Sequence, residues 1–163
     1  MTSLAVIGGL WFILTFIHFV ADWMFQTHAD AVAKSTDTSI RARHCAIYTA
    51  FFIPIFMFIG CSWIAIATYV GILFMSHFIE DSYVPVLWWM RHIRKVPWFT
   101  KGQKTGYSTK SPYLEIIPLT DKEAWTEFAQ AEPALSFILL ITVDQIVHIF
   151  FLGVIAGLMY YAV

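Results

Sequence analysis

Apolar positions in this chain come in four long blocks, with neither the alternation of a half-buried strand nor the single stripe of a soluble surface helix. Residues 4–26 form the first block, broken by Thr15, His18 and Asp22 and closed by Gln26. The second, 42–60, opens beside His44 and contains Pro54, which a membrane helix tolerates where neighbours re-satisfy the freed carbonyl. Gly60, Cys61 and Ser62 make a tight break before the third block, 62–81. The fourth, 134–161, is longer than one crossing requires, so it is tilted or begins outside the bilayer. A bilayer core takes about 20 apolar residues per helix. The pattern therefore predicts an all-α polytopic membrane protein, four transmembrane helices in a bundle. It reads as a single transmembrane domain over 1–163, with a cytoplasmic or interfacial connection at 83–133 between the third and fourth spans.

Composition agrees. Hydrophobic residues make up 59% and charged residues 13% of the 163, against about 45–50% and about 25% in soluble domains. Mean hydropathy is +0.68. A small domain leaves too much surface in water to hide that apolar content, which excludes a soluble enzyme, a disordered chain and a nucleic-acid module. The first block lacks a basic flank and is too long for a secretory signal, so it is expected to stay despite the cleavage-like Ala31-Val32-Ala33. Cys45 and Cys61 lie in apolar runs without metal-type spacing and read as small core residues.

All ten basic residues fall in two connections. Lys34, Arg41 and Arg43 follow the first span, while Arg91, Arg94, Lys95, Lys101, Lys104, Lys110 and Lys122 follow the third. With four spans, the positive-inside rule puts both connections in the cytoplasm and both termini outside it. Residues 88–98, with Trp88, Trp89, Arg91, Arg94, Lys95 and Trp98, suit anionic lipid headgroups, though an ordinary cytoplasmic end of span three reads the same way. Turn formers occupy 101–106, and Thr120-Asp121-Lys122-Glu123 is a capping-box pattern opening a short helix that Pro133 ends. Membrane lipids are the expected partners, nucleic acid is not expected at a net charge of −1, and a homo-oligomer is compatible with the sequence.

Ionisable groups inside the blocks share one spacing. They are His18-x3-Asp22, continued by Gln26, then His77-x3-Asp81, and Asp144-x3-His148 with Gln145; His44 opens block two. Residues four apart stack on one helix face, about 6 Å apart along the axis. In the four-span topology the order reverses in the one antiparallel helix. Asp22, Asp81 and Asp144 then share a layer toward the cytoplasm, with His44 beside them and His18, His77 and His148 one turn deeper. Carboxylates are costly in a low-dielectric bundle unless a cation neutralises them, and bundles build metal sites from such pairs. The expected ligands are His18, Asp22, His44, His77, Asp81, Asp144 and His148. Asp22, Asp81 and Asp144 are the candidate catalytic groups, with Gln26 and Gln145 supporting them or touching substrate. Zinc is the first expectation, Mn2+ or Fe2+ also suit, and seven ligands allow one ion or two. Glu80 reads as an interfacial carboxylate, and His28 and His92 as solvated.

The stretch His18-Phe19-Val20-Ala21-Asp22-Trp23-Met24-Phe25-Gln26 with Lys34, then His44, His77-Phe78-Ile79-Glu80-Asp81 and Asp144-Gln145-Ile146-Val147-His148, resembles a family of small bacterial and phage integral-membrane proteins of unknown function. The resemblance implies a bacterial inner (host cell) membrane and no established activity; it is not traced through residues 98–133, whose role stays open. The arrangement is also loosely similar to membrane-embedded metal-dependent hydrolases, an analogy of style. The resulting expectation is metal-assisted hydrolysis of a lipid or lipid-linked phosphate or amide in the cytoplasmic half of the bilayer. Two alternatives use the same residues: a proton- or metal-ion-conducting transporter, or a non-catalytic protein with a structural metal that binds a host partner.

Overall fold

The structure, a computed structural model, describes residues 3–93, 103–107, 114–118, 123, 126, 130 and 133–162. In chain order the elements are α1 (Ser3–Trp23), α2 (His28–Ala33), α3 (Thr38–Ala50), α4 (Ile53–Phe58), α5 (Trp63–Glu80), α6 (Val84–His92), β1 (Gln103–Tyr107), β2 (Leu114–Pro118) and α7 (Pro133–Ala162). They fall into two compact units, 1–83 with 144–163, and 84–143.

The first unit is a helical bundle with inverted polarity. On α1 the buried positions are Leu14, His18, Ala21 and Asp22, whereas Phe12, Phe16, Phe19 and Trp23 are exposed at helical spacing. On α7, Ile146, Phe150, Val154 and Leu158 form an exposed stripe behind buried His148, Leu152, Ile155 and Ala156. Large apolar side chains cover these outward faces, and the polar ones turn inward beside an apolar core. Among the described residues, three helices are long and apolar enough to cross a membrane: α1, α5 and residues 138–161 of α7.

Four such helices were expected, and the second is corrected. Block 42–60 is divided between α3 and α4, neither long enough alone. Pro54 sits in the first turn of α4, where its missing N–H costs nothing. One continuous helix would instead need that N–H and would clash with the Pro54 ring. The chain turns at Phe51 and Phe52, whose amides donate three residues back to Tyr48 and Thr49. Thr49 Oγ1 also donates to the Cys45 carbonyl at 2.8 Å, competing with the regular ladder.

Local signals set the remaining joints. The Asp37 carboxylate accepts from the amides of Ser39 and Ile40 and starts α3. Gly60 adopts φ 87, a left-handed turn that a side chain would strain, and Ser62 caps α5 through the Ala65 amide. Among the described residues, Tyr83, after α5, is the non-glycine residue at positive φ, 60. Below these joints the core packs Leu14, Tyr48, Phe52, Phe56, Tyr69, Leu73, Leu152 and Ile155.

The second unit adds a two-stranded hairpin to an otherwise helical chain. β1 and β2 pair antiparallel with Gln103 opposite Pro118 and Tyr107 opposite Leu114. Residues 103–106, expected as a turn, thus lie in a strand. α6 buries Val86 and Met90 beside Leu139, Leu140 and Val143. His92 Nδ1 donates to the Trp88 carbonyl at 3.0 Å, and both side chains are exposed. Glu123, Thr126 and Gln130 are helical, where the capping box predicts a helix. The rest of that segment, and Arg94, Lys95 and Trp98 of the proposed headgroup-binding stretch, lie outside the described residues, as does the His28 side chain.

Candidate metal centre

Four helices and one short turn of the first unit bring their polar residues to one place. α1 contributes His18 and Asp22, α3 His44 and Tyr48, α5 His77 and Glu80 with Asp81 as its C-cap, and α7 Gln145 and His148. Lys34 caps the C-terminus of α2. It is held there by Arg41, which donates from Nε to the Lys34 carbonyl at 2.7 Å and from a terminal nitrogen to that of Ser35 at 3.0 Å. The Arg41 guanidinium in turn lies over the Phe78 ring. Arg43 pairs with Asp30 and ties α2 to α3. Asp22 and Asp81, at the ends of α1 and α5, both face Lys34, so these two helices run the same way and α3 with α4 returns the chain between them.

At the centre, Nε2 of His44 lies 2.9 Å from Nε2 of His77 and 3.0 Å from Oδ1 of Asp22. Asp22 Oδ1 is 3.6 Å from His77 Nε2, and Asp81 Oδ2 is 3.5 Å from His44 Nε2 and 3.4 Å from His77 Nε2. These contacts form two triangles sharing the imidazole–imidazole edge. Donors around a tetrahedral ion with bonds of about 2.0–2.2 Å stand about 3.3–3.6 Å apart, so the set has the scale of a coordination shell. Lys34 Nζ sits 2.8 Å from Asp81 Oδ1 and 3.6 Å from Asp22 Oδ1. Burial opposes the Lys34 charge, but Asp81 and Asp22 outweigh it and hold its proton above the ordinary lysine range.

A second layer braces the first. Gln145 Nε2 donates to Asp22 Oδ2 at 3.4 Å and Asp144 Oδ2 at 3.2 Å, and carboxylates can only accept. That fixes the amide, so Oε1 accepts from His18 Nε2–H at 2.9 Å. His18 Nδ1 is then the acceptor of the Tyr48 hydroxyl at 3.1 Å. Tyr48 lies flat on His77, with centroids 4.0 Å apart and planes 2° from parallel. The His148 ring stacks on His18 at 5.2 Å and meets His77 edge-on at 4.4 Å.

The donor set fits a cation. Asp22, Glu80, Asp81, Asp144 and His148 converge, and among the described residues Lys34 is the one Lys or Arg paired with them. Four carboxylates against one ammonium leave a buried excess of negative charge, which a low dielectric penalises heavily. His77 Nδ1, both Glu80 oxygens, Asp144 Oδ1 and His148 Nε2 have no hydrogen-bond partner. Asp81 also lacks one of hydrogen-bond geometry, although the Lys34 contact makes its Oδ1 an ion-pair partner. Three sets present ligand atoms within 4.8 Å of one another: Asp22, His44 and His77; Cys45, His77 and Asp81; Asp81, Asp144 and His148.

The expected residues therefore occupy different ranks. Asp22, His44, His77 and Asp81 form the inner set, and Asp144 and His148 lie beside it. His18, expected as a ligand, has both ring nitrogens engaged by Gln145 and Tyr48 and stands one layer out. Gln26 makes no hydrogen bond or ion pair with the cluster, and its buried Oε1 is unpaired. Glu80, expected at the interface, is buried, with Oε2 3.1 Å from His148 Nε2. Cys45 is core but borders the inner set. Sequence reasoning missed Lys34, Tyr48 and Glu80 as members. Two left a signal: Tyr48 follows His44 by four residues and Glu80 follows His77 by three, so each shares the helix face of a histidine.

Residues 10–108 match the family described as protein of unknown function (DUF3307). The match covers every inner residue and Lys34, and ends before α7. No curated protein and no solved structure matches the chain.

Proposed function

This chain belongs to DUF3307, a family of unknown function, and we propose that it is a membrane-embedded, metal-dependent hydrolase-like protein. Asp22, His44, His77 and Asp81 would hold a divalent ion, zinc first and Mn2+ or Fe2+ as substitutes. The carrying observation is the two imidazole Nε2 atoms facing each other at 2.9 Å inside a ring of buried, underneutralised carboxylates. Two lone pairs at that distance repel unless a proton or a cation lies between them, and the carboxylate excess asks for more positive charge than one proton brings. A divalent ion in such a site acts as a Lewis acid and lowers the pKa of water it binds to about 7.

The chain's own residues supply the rest. Gln145 orients Asp22, Asp144 and His18, Tyr48 fixes the plane of His77, and Lys34 balances charge and offers an ammonium to an anionic substrate. Asp144, the more exposed carboxylate of the cluster, is placed to exchange protons. The substrate class is a lipid or lipid-linked phosphate or amide, because the bundle turns apolar stripes outward and a molecule reaching its interior shares that solvent. Lys34, Arg41 and Arg43 lie at the end of the bundle that carries Asp22 and Asp81, which supports a cytoplasmic-side site with both termini on the other side of a bacterial inner membrane.

One observation favours a second reading. Tyr48, His18, Gln145, Asp22, His44 and His77 form a continuous series of polar contacts, which is also how a proton or cation path is built. Detergent-purified protein incubated with labelled inner-membrane lipids separates the two. Hydrolysis that Asp22→Asn abolishes while folding persists is expected. Cation or proton uptake by proteoliposomes, with no lipid turned over, overturns the hydrolase reading in favour of conduction.

A further inference from the structure

Beside the inner set lies a pair of groups that the proposed centre does not use. His148 Nδ1 donates to the backbone carbonyl of Asp144 at 2.8 Å, four residues back. A carbonyl can only accept, so Nδ1 carries a hydrogen and a neutral His148 turns a bare lone pair outward at Nε2. What that lone pair faces is Glu80 Oε2, 3.1 Å away, itself an acceptor when ionised. Neither His148 Nε2 nor either Glu80 oxygen has a hydrogen-bond partner, and both residues are at least nine-tenths buried. Asp144 Oδ1 likewise lacks a hydrogen-bond partner, with His148 Nδ1 3.8 Å away, and Asp81, Asp144 and His148 present ligand atoms within 4.8 Å of one another.

We infer that Glu80, Asp144 and His148, with Asp81 reaching across from the inner set, form a second divalent-cation subsite. The inference rests on the metal-centre reading above and extends it from one ion to two. The chemistry is oxygen-rich with one imidazole, which suits Mn2+, Fe2+ or Zn2+. The backbone carbonyl on Nδ1 is the outer-shell partner that ligating histidines ordinarily have. The neighbouring inner set makes the cluster a two-metal arrangement, the kind used to hold both the attacking and the leaving oxygen of a displacement. Glu80 is the residue that distinguishes this proposal, because its carboxylate pairs with His148 and lies outside the inner set.

The test counts metal in the full-length protein purified in detergent, with Mn2+ as probe. Two equivalents per chain are expected, with an exchange-coupled electron paramagnetic resonance spectrum. Glu80→Gln and Asp144→Asn are each expected to reduce this to one equivalent with an uncoupled Mn2+ spectrum. His77→Ala removes the inner ion instead. Circular dichroism identifies any variant that has simply unfolded, and the two carboxamide variants provide independent readings. One equivalent in the unaltered protein, unchanged by Glu80→Gln, overturns the second subsite, assigns the His148–Glu80 gap to a proton, and leaves the inner centre standing. No bound metal in the unaltered protein overturns both.

Discussion

The Nε2 atoms of His44 and His77 face each other across 2.9 Å, with Asp22 Oδ1 3.0 Å from the first and 3.6 Å from the second. These residues come from α3, α5 and α1, so the contact pins three helices at one point. Removing either imidazole removes a donor that no neighbour replaces. His77→Ala is expected to weaken divalent-metal binding by more than about 100-fold, since loss of an outer-shell partner alone costs about 10–100-fold. Elemental analysis of dialysed protein checks this. Retention of full metal by His77→Ala would remove that residue from the ligand set.

Lys34 joins Asp81 and Asp22 from the end of a short helix, and its side chain is 7% exposed. Lys34→Met strands two buried carboxylates and should cost about 3–5 kcal/mol, measured by denaturant unfolding in a single detergent. Added divalent cation should recover part of that loss. The pH dependence has a definite sign. The folded pKa lies above the ordinary lysine value, so this stabilisation is complete below about pH 10.4 and fades only as pH rises through the folded value. A melting temperature that falls between pH 6 and 9 in the unaltered protein but not in Lys34→Met would contradict it.

The long blocks and the His/Asp pairs were legible because both are local: hydropathy marks α1, α5 and α7, and four-residue spacing puts each pair on one face. The break between α3 and α4 was half visible in Pro54, whose effect depends on whether neighbours re-satisfy the Ala50 carbonyl. Lys34 was hidden because its role depends on Arg41 fastening the end of α2 and on two carboxylates distant in sequence. The rank of His18 was hidden for a related reason: only the amide orientation of Gln145, set by Asp22 and Asp144, decides which ring nitrogen carries the hydrogen, and both nitrogens are then engaged. The β1–β2 hairpin pairs a polar strand, Gln103–Tyr107, with a mostly apolar one, Leu114–Pro118, and five residues without clear alternation give periodicity little to work on.

Gln145 links three helix-borne groups by its one amide. Gln145→Leu keeps the volume but leaves His18 Nε2–H and two carboxylate oxygens without it, so metal affinity should fall about 10–100-fold. Gln145→Glu should be worse, because it adds a negative charge and can no longer donate to Asp22. Isothermal titration with Zn2+ on both variants gives the order; equal affinities would show that the amide is idle.

Trp11 Nε1 donates to the Ile149 carbonyl at 2.9 Å, and a Cβ built at Gly153 would meet the indole at 3.4 Å. That is ordinary contact, so Gly153→Ala should be tolerated, with a gain of up to about 1 kcal/mol from helix propensity. Gly153→Leu has to displace the ring and should cost about 1–3 kcal/mol. Thermal unfolding of both variants in one detergent tests the difference.

The inverted polarity of the bundle determines which agents can take it apart. Its outer stripes of Phe16, Phe150 and Leu158 are apolar, so on the membrane reading exchanging one mild amphiphile for another should touch little that gives the fold its shape. On the proposed metal-centre reading, chelators, protons and competing inorganic ions should act on the interior instead. The molecule should therefore be forgiving of its solvent and exacting about its electrolyte.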